Sequence, residues 1–253
     1  MRVMSFNLRH DNPNDHGHLW TSRRHAVRSI LEEFKPDLLG IQEGLTNQID
    51  ELQCWLDEHM VLGRGREADL GGEHCSIFFG TRVFELLDSG DFWLSETPDV
   101  PGSKSWETCC PRMATWALLR NIEHDRKILF LNTHLDHVSE LARVKGAELI
   151  LGFVSSFAGA DGVVITGDFN DEASGVIRQF TESNGYIDAL AAVNKTGATY
   201  HGFTGEGSAR IDYVLISKAF EVMRGEVITD KPGGILPSDH FPVYADLRMR
   251  LRV

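Results

Sequence analysis

The octet Val163-Val164-Ile165-Thr166-Gly167-Asp168-Phe169-Asn170 constrains this chain more than any other stretch. Three branched apolar residues in succession read as a buried strand. Gly167 then permits a turn or a close backbone approach. Asp168 and Asn170 lie two apart, so an extended backbone would point both side chains to one side. A carboxylate and an amide at the mouth of a sheet can orient a water and hold an oxyanion. Taken alone, the octet is equally a Gly-Asp turn with Asn170 capping a helix. The recurrence of the design favours the chemical reading: apolar strands also end at Asn7, at Glu43 and at His134, and another is flanked by Asp239-His240.

Read in order, the chain alternates strands and helices. Arg2 to Leu8 is a strand, Thr21 is placed to cap a helix bearing Val27, Ile30, Leu31 and Phe34, and Pro36 follows its end. Leu38 to Ile41 is a second buried strand, and Thr46 starts a helix with Ile49, Leu52 and Leu56 on one face. Gly63 to Gly72 is a polar loop. Short strands are expected from Cys75 to Phe79, Phe84 to Leu87 and Phe92 to Leu94, then a long ordered loop from Ser95 to Pro111. Ala114 to Leu119 and Ile128 to Asn132 form a hairpin about Glu123-His124-Asp125. Ser139 to Phe157 reads as a helix with Leu141, Val144, Ile150, Leu151 and Val154 inward, and a shorter helix is expected near Ser174 to Ser183. Ile211 to Ile216, Val222 to Ile228 and Val243 to Leu247 complete the strands. No linker or low-complexity segment interrupts residues 1–253, so one domain is expected, with two packed sheets and helices outside.

Hydrophobic and charged contents of 42% and 25% are those of a globular protein. Four cysteines, with no C-x-x-C pair, read as reduced core or loop thiols, and Cys109-Cys110 lacks zinc-ligand spacing. The amino terminus has no signal-peptide core and no apolar run reaches membrane-span length, so a cytoplasmic protein without membrane association is expected. Nothing in the sequence implies a protein partner. There is no G-x-S-x-G elbow, no P-loop lysine and no dinucleotide fingerprint.

The polar strand ends suit a hard cation. Mg²⁺ takes oxygen ligands and usually only one or two protein carboxylates, and Glu43, Asn7 and Asp239 meet that need if their strands converge. A loop acid at Glu43 and a turn residue at Asn7 are the plainer alternatives. His240 lies in Pro237-Ser238-Asp239-His240-Phe241-Pro242 and can donate to phosphate or transfer a proton near neutral pH, with Asp212 as the candidate carboxylate for its other nitrogen. His134 sits like the other strand-end groups, and His137 can serve the site or start the next helix. Arg112 can reach a phosphate or be an ordinary surface arginine. Trp20, Trp93 and Trp106 are better read as packing than as stacking platforms.

Ser5-Phe6-Asn7, Ile41-Gln42-Glu43, Thr133-His134-Leu135, Gly167-Asp168-Phe169-Asn170, Ile211-Asp212-Tyr213 and Ser238-Asp239-His240 occur in that order. Six such motifs, each beside an apolar strand, resemble the endonuclease/exonuclease/phosphatase superfamily with its deoxyribonuclease-I-like fold. Phe92-Trp93-Leu94-Ser95-Glu96-Thr97-Pro98 is similar to a bacterial branch of it. The resemblance implies an α+β fold, a four-layer α/β/β/α sandwich, and Mg²⁺- or Mn²⁺-dependent phosphoester hydrolysis. It implies that Glu43 binds the metal with Asn7 and Asp239 close by or ligating. Asp168 would orient or deprotonate the attacking water, Asn170 would position it or the phosphate, His134 and His240 would contact phosphate oxygens, and Asp212 would hold His240. Where abasic-site nucleases carry an acidic residue two after the asparagine, this chain has Arg9, which speaks against a DNA-repair role and joins Arg112 and His137 as a candidate substrate-binding residue.

Three functions follow from this reading: a phosphodiesterase on a small or short substrate, placed first; a phosphomonoesterase on a sugar, inositol or nucleotide phosphate; and a silent binding module, disfavoured because all the motif residues are present together. A nuclease on long duplex DNA is disfavoured by charge. The net charge of −12 repels a polyanion, and the densest basic cluster, Arg248, Arg250 and Arg252, lies at the far carboxyl end. At low salt, where attraction to DNA is strongest, turnover of a short phosphodiester or a sugar phosphate is expected to outpace nicking of supercoiled plasmid. Rapid nicking with little turnover of the small esters would overturn that expectation.

Overall fold

A computed structural model describes residues 1–157, 159–173 and 175–250. Its order is β1 (Arg2–Asn7), α1 (Trp20–Phe34), β2 (Leu38–Gln42), α2 (Thr46–Trp55), β3 (His59–Leu62), β4 (Ile77–Gly80), β5 (Phe84–Trp93), β6 (Met113–Asn121), β7 (Arg126–His134), α3 (Glu140–Ser156), β8 (Gly162–Asp168), β9 (Ile187–Asp188), α4 (Ala189–Ala192), β10 (Asp212–Ile216), β11 (Phe220–Val227) and β12 (Val243–Met249). Among the described residues the strands form two mixed six-stranded sheets, ordered β11-β12-β1-β2-β4-β3 and β5-β6-β7-β8-β10-β9. No helix among them is long and apolar enough to cross a membrane.

The layering follows from the two-residue period of the strands. Val3, Leu38, Ile77 and Phe79 of the first sheet meet Leu119, Phe130, Val164 and Val214 of the second in the central layer. The alternate residues point outward. Met4, Phe6, Leu39 and Ile41 pack beneath Val27, Ile30 and Leu31 of α1 and Ile49 and Leu52 of α2. Leu129, Leu131, Ile165 and Leu215 pack beneath Ala147, Ile150 and Val154 of α3. This is the four-layer α/β/β/α sandwich.

Along the central layer the side chains change in character. Beyond the apolar block, Gln42 Nε2 donates to Asn132 Oδ1 at 2.7 Å and to Ser5 Oγ at 3.2 Å. Thr166 Oγ1 also donates to Asn132 Oδ1, at 3.0 Å, while Asn132 Nδ2 donates to the carbonyls of Ile41 (2.7 Å) and Ser76 (3.1 Å). The two sheets approach so closely here that a Cβ on Gly40 would lie 2.2 Å from Thr166 Oγ1 and 2.5 Å from Asn132 Oδ1. One more step of two residues brings the ionisable strand ends.

Several local expectations are corrected. The α1 helix starts at Trp20 with Leu19 at the cap position and no side-chain cap, so Thr21 lies within the first turn rather than capping it. Leu141 is half exposed, because the inward stripe of α3 runs through Ala142, Gly146, Ala147, Ile150 and Val154, small residues that let the helix approach the sheet. Phe84 to Leu87 and Phe92-Trp93 belong to one strand, with Leu94 just past its end, and its pairing shifts between Leu86 and Asp88 at a bulge that breaks the alternation. The helix expected near Ser174 reduces to a short turn ending in a π-helical segment, Gln179–Ser183; Ser174 itself lies outside the described residues. Arg248 pairs with Glu221 on the exposed edge, Arg250 follows the end of β12, and Arg252 lies outside the described residues. Trp20 and Trp93 are buried packing residues.

The polar cluster centred on Asn132 is expected to be a large single contribution to stability. Asn132→Ala removes a partner from two buried carbonyls and two buried donors, of which the Ser76 carbonyl keeps the Ile41 N–H and Gln42 Nε2 keeps Ser5 Oγ, and urea unfolding should register a loss of about 2 kcal/mol. A change of less than about 1 kcal/mol would show that these groups find other partners.

Candidate active site

The register of the second sheet sets three ionisable residues in one row. His134 on β7 pairs with Asp168 on β8, and Asp168 pairs with Asp212 on β10. All three are buried, on the parity that faces the first sheet. From that sheet comes Asn7, on β1, whose Nδ2 donates to Asp168 Oδ2 at 2.9 Å and Glu43 Oε1 at 3.1 Å. The Asn7 amide thus bridges two carboxylates 125 residues apart in sequence, while its own Oδ1 accepts the Arg9 N–H at 2.9 Å. The Ser238–His240 loop is tied in by Ser238 Oγ, which donates to the Asn7 carbonyl at 2.7 Å. Buried Arg23 ties it further, donating to the carbonyls of Leu8 and Pro237.

His240 Nδ1 lies 2.9 Å from Asp212 Oδ2, and His240 Nε2 lies 3.8 Å from Asp168 Oδ2. Asn170 Nδ2 donates to the Leu135 carbonyl and to His134 Nε2, both at 3.0 Å, and the Asn170 N–H holds Asp168 Oδ1 at 2.9 Å. Asp168 is therefore clamped on both oxygens. Three residues at the strand exits take left-handed backbone: Arg9 (φ 53°), Glu43 (φ 61°) and Asn170 (φ 47°).

Burial and charge separate the protonation states. Burial, reinforced by the Asp212 charge, raises the Asp168 carboxyl to about 7. Burial opposes ionisation of His240, but Asp212 outweighs it through charge and hydrogen bond and raises the imidazole to about 10. Burial, helped by the nearby Arg112 cation, holds His134 well below its ordinary value, so it is neutral. Glu43 is well below the usual carboxylate range: burial works against the charge, yet the His10 hydrogen bond and neighbouring histidines prevail. Asp239 is raised, first by burial.

These groups line a cleft of about 370 Å³ that also contains Arg9, Arg112 and His137. Arg9 Nε is bonded to Asp15 at 2.8 Å and stands 3.8 Å from Asp239, and its Nη1 stands 3.8 Å from Glu43. Arg112 is buried, gives Nη2 to His137 Nδ1 at 3.0 Å, and its Nε, which makes no hydrogen bond, stands 3.8 Å from Asp136 Oδ2 as an ion pair. Sequence reasoning missed His10, whose Nδ1 lies 3.0 Å from Glu43 Oε2, and it missed Tyr200, set edge-on to the His240 ring. It also missed Arg66 and Glu73, an ion pair at 2.5 Å that walls the cleft from the loop before β4. The Gly63 to Gly72 stretch was legible as a polar loop, but no spacing marked which of its side chains face inward.

Glu43, Asp168 and His134 offer ligand atoms within 4.8 Å of one another. An ionised, largely buried carboxylate beside a second one, with no thiolate among the cleft donors nearest them, fits a hard divalent cation.

The sequence matches the Endonuclease/Exonuclease/phosphatase family over residues 4–240. No curated protein matches the chain. Among solved structures, an endonuclease/exonuclease/phosphatase family protein from Bacteroides thetaiotaomicron superposes with TM-score 0.91 at 31% identity, covering 99% of this chain and 98% of that one. A mannosyl-6-phosphatase from the same organism gives TM-score 0.90 at 31% identity, covering 98% and 100%. The human Nocturnin catalytic domain with bound sulfate shares the fold, with TM-score 0.79 at 20% identity over 99% and 94% of the chains. From Asn7 to His240 the clustered strand ends lie within the matched span, and the chain belongs to the endonuclease/exonuclease/phosphatase family of phosphoester hydrolases.

Proposed function

We propose that this protein hydrolyses small phosphomonoesters, sugar phosphates foremost, in a reaction that requires Mg²⁺ or Mn²⁺. The observation that carries the reading is the small size of the cleft: His134, Asp168 and His240 open into about 370 Å³, walled by Arg66, Glu73, Arg112 and Tyr200, with Asp212 behind His240. That volume is near the small end for a ligand pocket and suits a terminal phosphate with one sugar. The mannosyl-6-phosphatase at 31% identity supports the same class. These two observations move the monoester ahead of the diester that the sequence reading places first.

In this mechanism Asp168, held by Asn7 and Asn170, takes a proton from the attacking water; a base poised near 7 suits that task. His240, kept cationic by Asp212, donates from Nε2 to a phosphate oxygen and stabilises its developing charge. Neutral His134 and Asn170 fix the position of the phosphate, and the Arg112 guanidinium in the cleft wall gives a further donor for it. Glu43, with Asp168 and Asp239 nearby, would hold the cation, while Asn7 orients Glu43. When bound, the metal supplies Lewis-acid stabilisation of the phosphoryl oxygens.

A panel of sugar phosphates and short phosphodiesters, assayed with each metal, tests the class. Turnover confined to diesters would overturn it. Activity should vanish in EDTA and return with Mg²⁺ or Mn²⁺, whereas full activity in chelator would remove the metal from the account. Asp168→Asn and His240→Ala should each lower kcat by roughly 10²–10⁴ with folding unchanged by circular dichroism. Asp168 acts only when ionised and His240 only while cationic, so the wild-type rate should rise through about pH 7, hold above it and fall as the His240 cation is lost near 10. Removing the carboxylate in Asp212→Asn leaves burial to lower His240, and the falling limb of the pH–rate profile should move down to neutral pH or below. An unmoved limb would show that His240 is not the group titrating.

A further inference from the structure

The loop from Ser95 to Pro111 brings together donors that the hydrolytic mechanism does not use. Cys109 Sγ lies 3.0 Å from Asp136 Oδ2, 3.5 Å from His137 Nδ1 and 3.5 Å from Cys110 Sγ. Ligand atoms of Cys109, Asp136 and His137 all lie within 4.8 Å of one another. With bonds of about 2.0–2.3 Å, two donors on a tetrahedral zinc stand roughly 3.3–3.8 Å apart. The separations around Cys109 Sγ are already close to those edges.

The carboxylate is also built to stay in place. Asp136 Oδ1 accepts the N–H groups of Val138 and Ser139, at 2.9 and 2.7 Å. Asp136 Oδ2 accepts Thr108 Oγ1 at 2.7 Å and the Cys109 N–H at 3.2 Å. Outer hydrogen bonds of this kind fix the orientation of a metal ligand. Sequence spacing hides the arrangement, because Cys109 and Asp136 are brought together only by the fold.

We propose that Cys109, Asp136 and His137, with water in the fourth position, bind a thiophilic divalent cation such as Zn²⁺ at the rim of the cleft. The set is chemically distinct from the oxygen-rich corner at Glu43, since thiolate and imidazole select a softer ion than Mg²⁺. On binding, the Cys109 thiol releases its proton to solvent and its sulfur becomes the ligand; no oxidation is involved. His137 Nδ1 gives up its hydrogen bond with Arg112 to ligate, which frees Arg112 Nη2 toward the cleft. The ion also clasps the Ser95–Pro111 loop to the start of α3.

Co²⁺ serves as the probe, added to chelator-stripped, reduced protein in excess Mg²⁺. A sulfur-to-cobalt charge-transfer band should saturate near one equivalent and be displaced by Zn²⁺. Cys109→Ser and His137→Ala should each abolish the band or weaken Zn²⁺ affinity by about 100-fold or more, with circular dichroism reporting an intact fold. Glu43→Gln and Cys54→Ser should leave the band as it is. Absence of the band in the wild-type protein, or its survival in Cys109→Ser or His137→Ala, would overturn the proposal.

Discussion

The two-residue alternation of the inner strands is the constraint on which the remainder of the molecule rests. The parity that sends Val3, Leu38, Phe130, Val164 and Val214 into the central layer also sends Asn7, Gln42, His134, Asp168 and Asp212 into it, further along the same strands. The layer therefore grades from apolar, through neutral and hydrogen-bonded, to ionisable. A one-residue slip in any strand would turn its reactive group to the helix side and its outer-layer residue into the core. Fold and site are specified by the same pairing.

That coupling explains what was legible. Strand-end residues could be read because an apolar run announces the strand and the next polar residue of matching parity announces its mouth. The Asp212–His240 pairing was legible for the same reason, since Asp212 opens β10 on the inner parity. The sandwich followed from strands whose successive residues are both apolar, each needing a covered face. Residues placed by loops were not legible. Arg66, Glu73, His10 and Tyr200 enter the cleft through irregular backbone that carries no periodic signal. Small residues misled as well: on α3, Ala142 and Gly146 win the inward face from Leu141 because close helix–sheet contact outweighs the size of one side chain.

Charge at the site differs from charge on the chain. A protein of net charge −12 gathers Arg9, Arg66 and Arg112 around one cleft, yet Arg9 faces Asp15 and Arg66 faces Glu73. Arg112 in turn stands 3.8 Å from Asp136. Each arginine of the cleft thus has its own carboxylate, and no broad positive field remains. The proposed preference for a single phosphate is consistent with that arrangement, since affinity for a polyanion comes from many phosphate contacts at once.

The left-handed backbone at Glu43 carries a further consequence. Asparagine tolerates that conformation, but for glutamate it costs roughly 1–2 kcal/mol, which the surrounding strands absorb. Glycine at position 43 would relieve the strain and remove the carboxylate in the same change. A screen for thermal stability alone would favour that glycine, and a screen for turnover would reject it. Position 43 is therefore a point where foldability and chemistry pull in opposite directions, and the glutamate there marks which of the two selection has favoured.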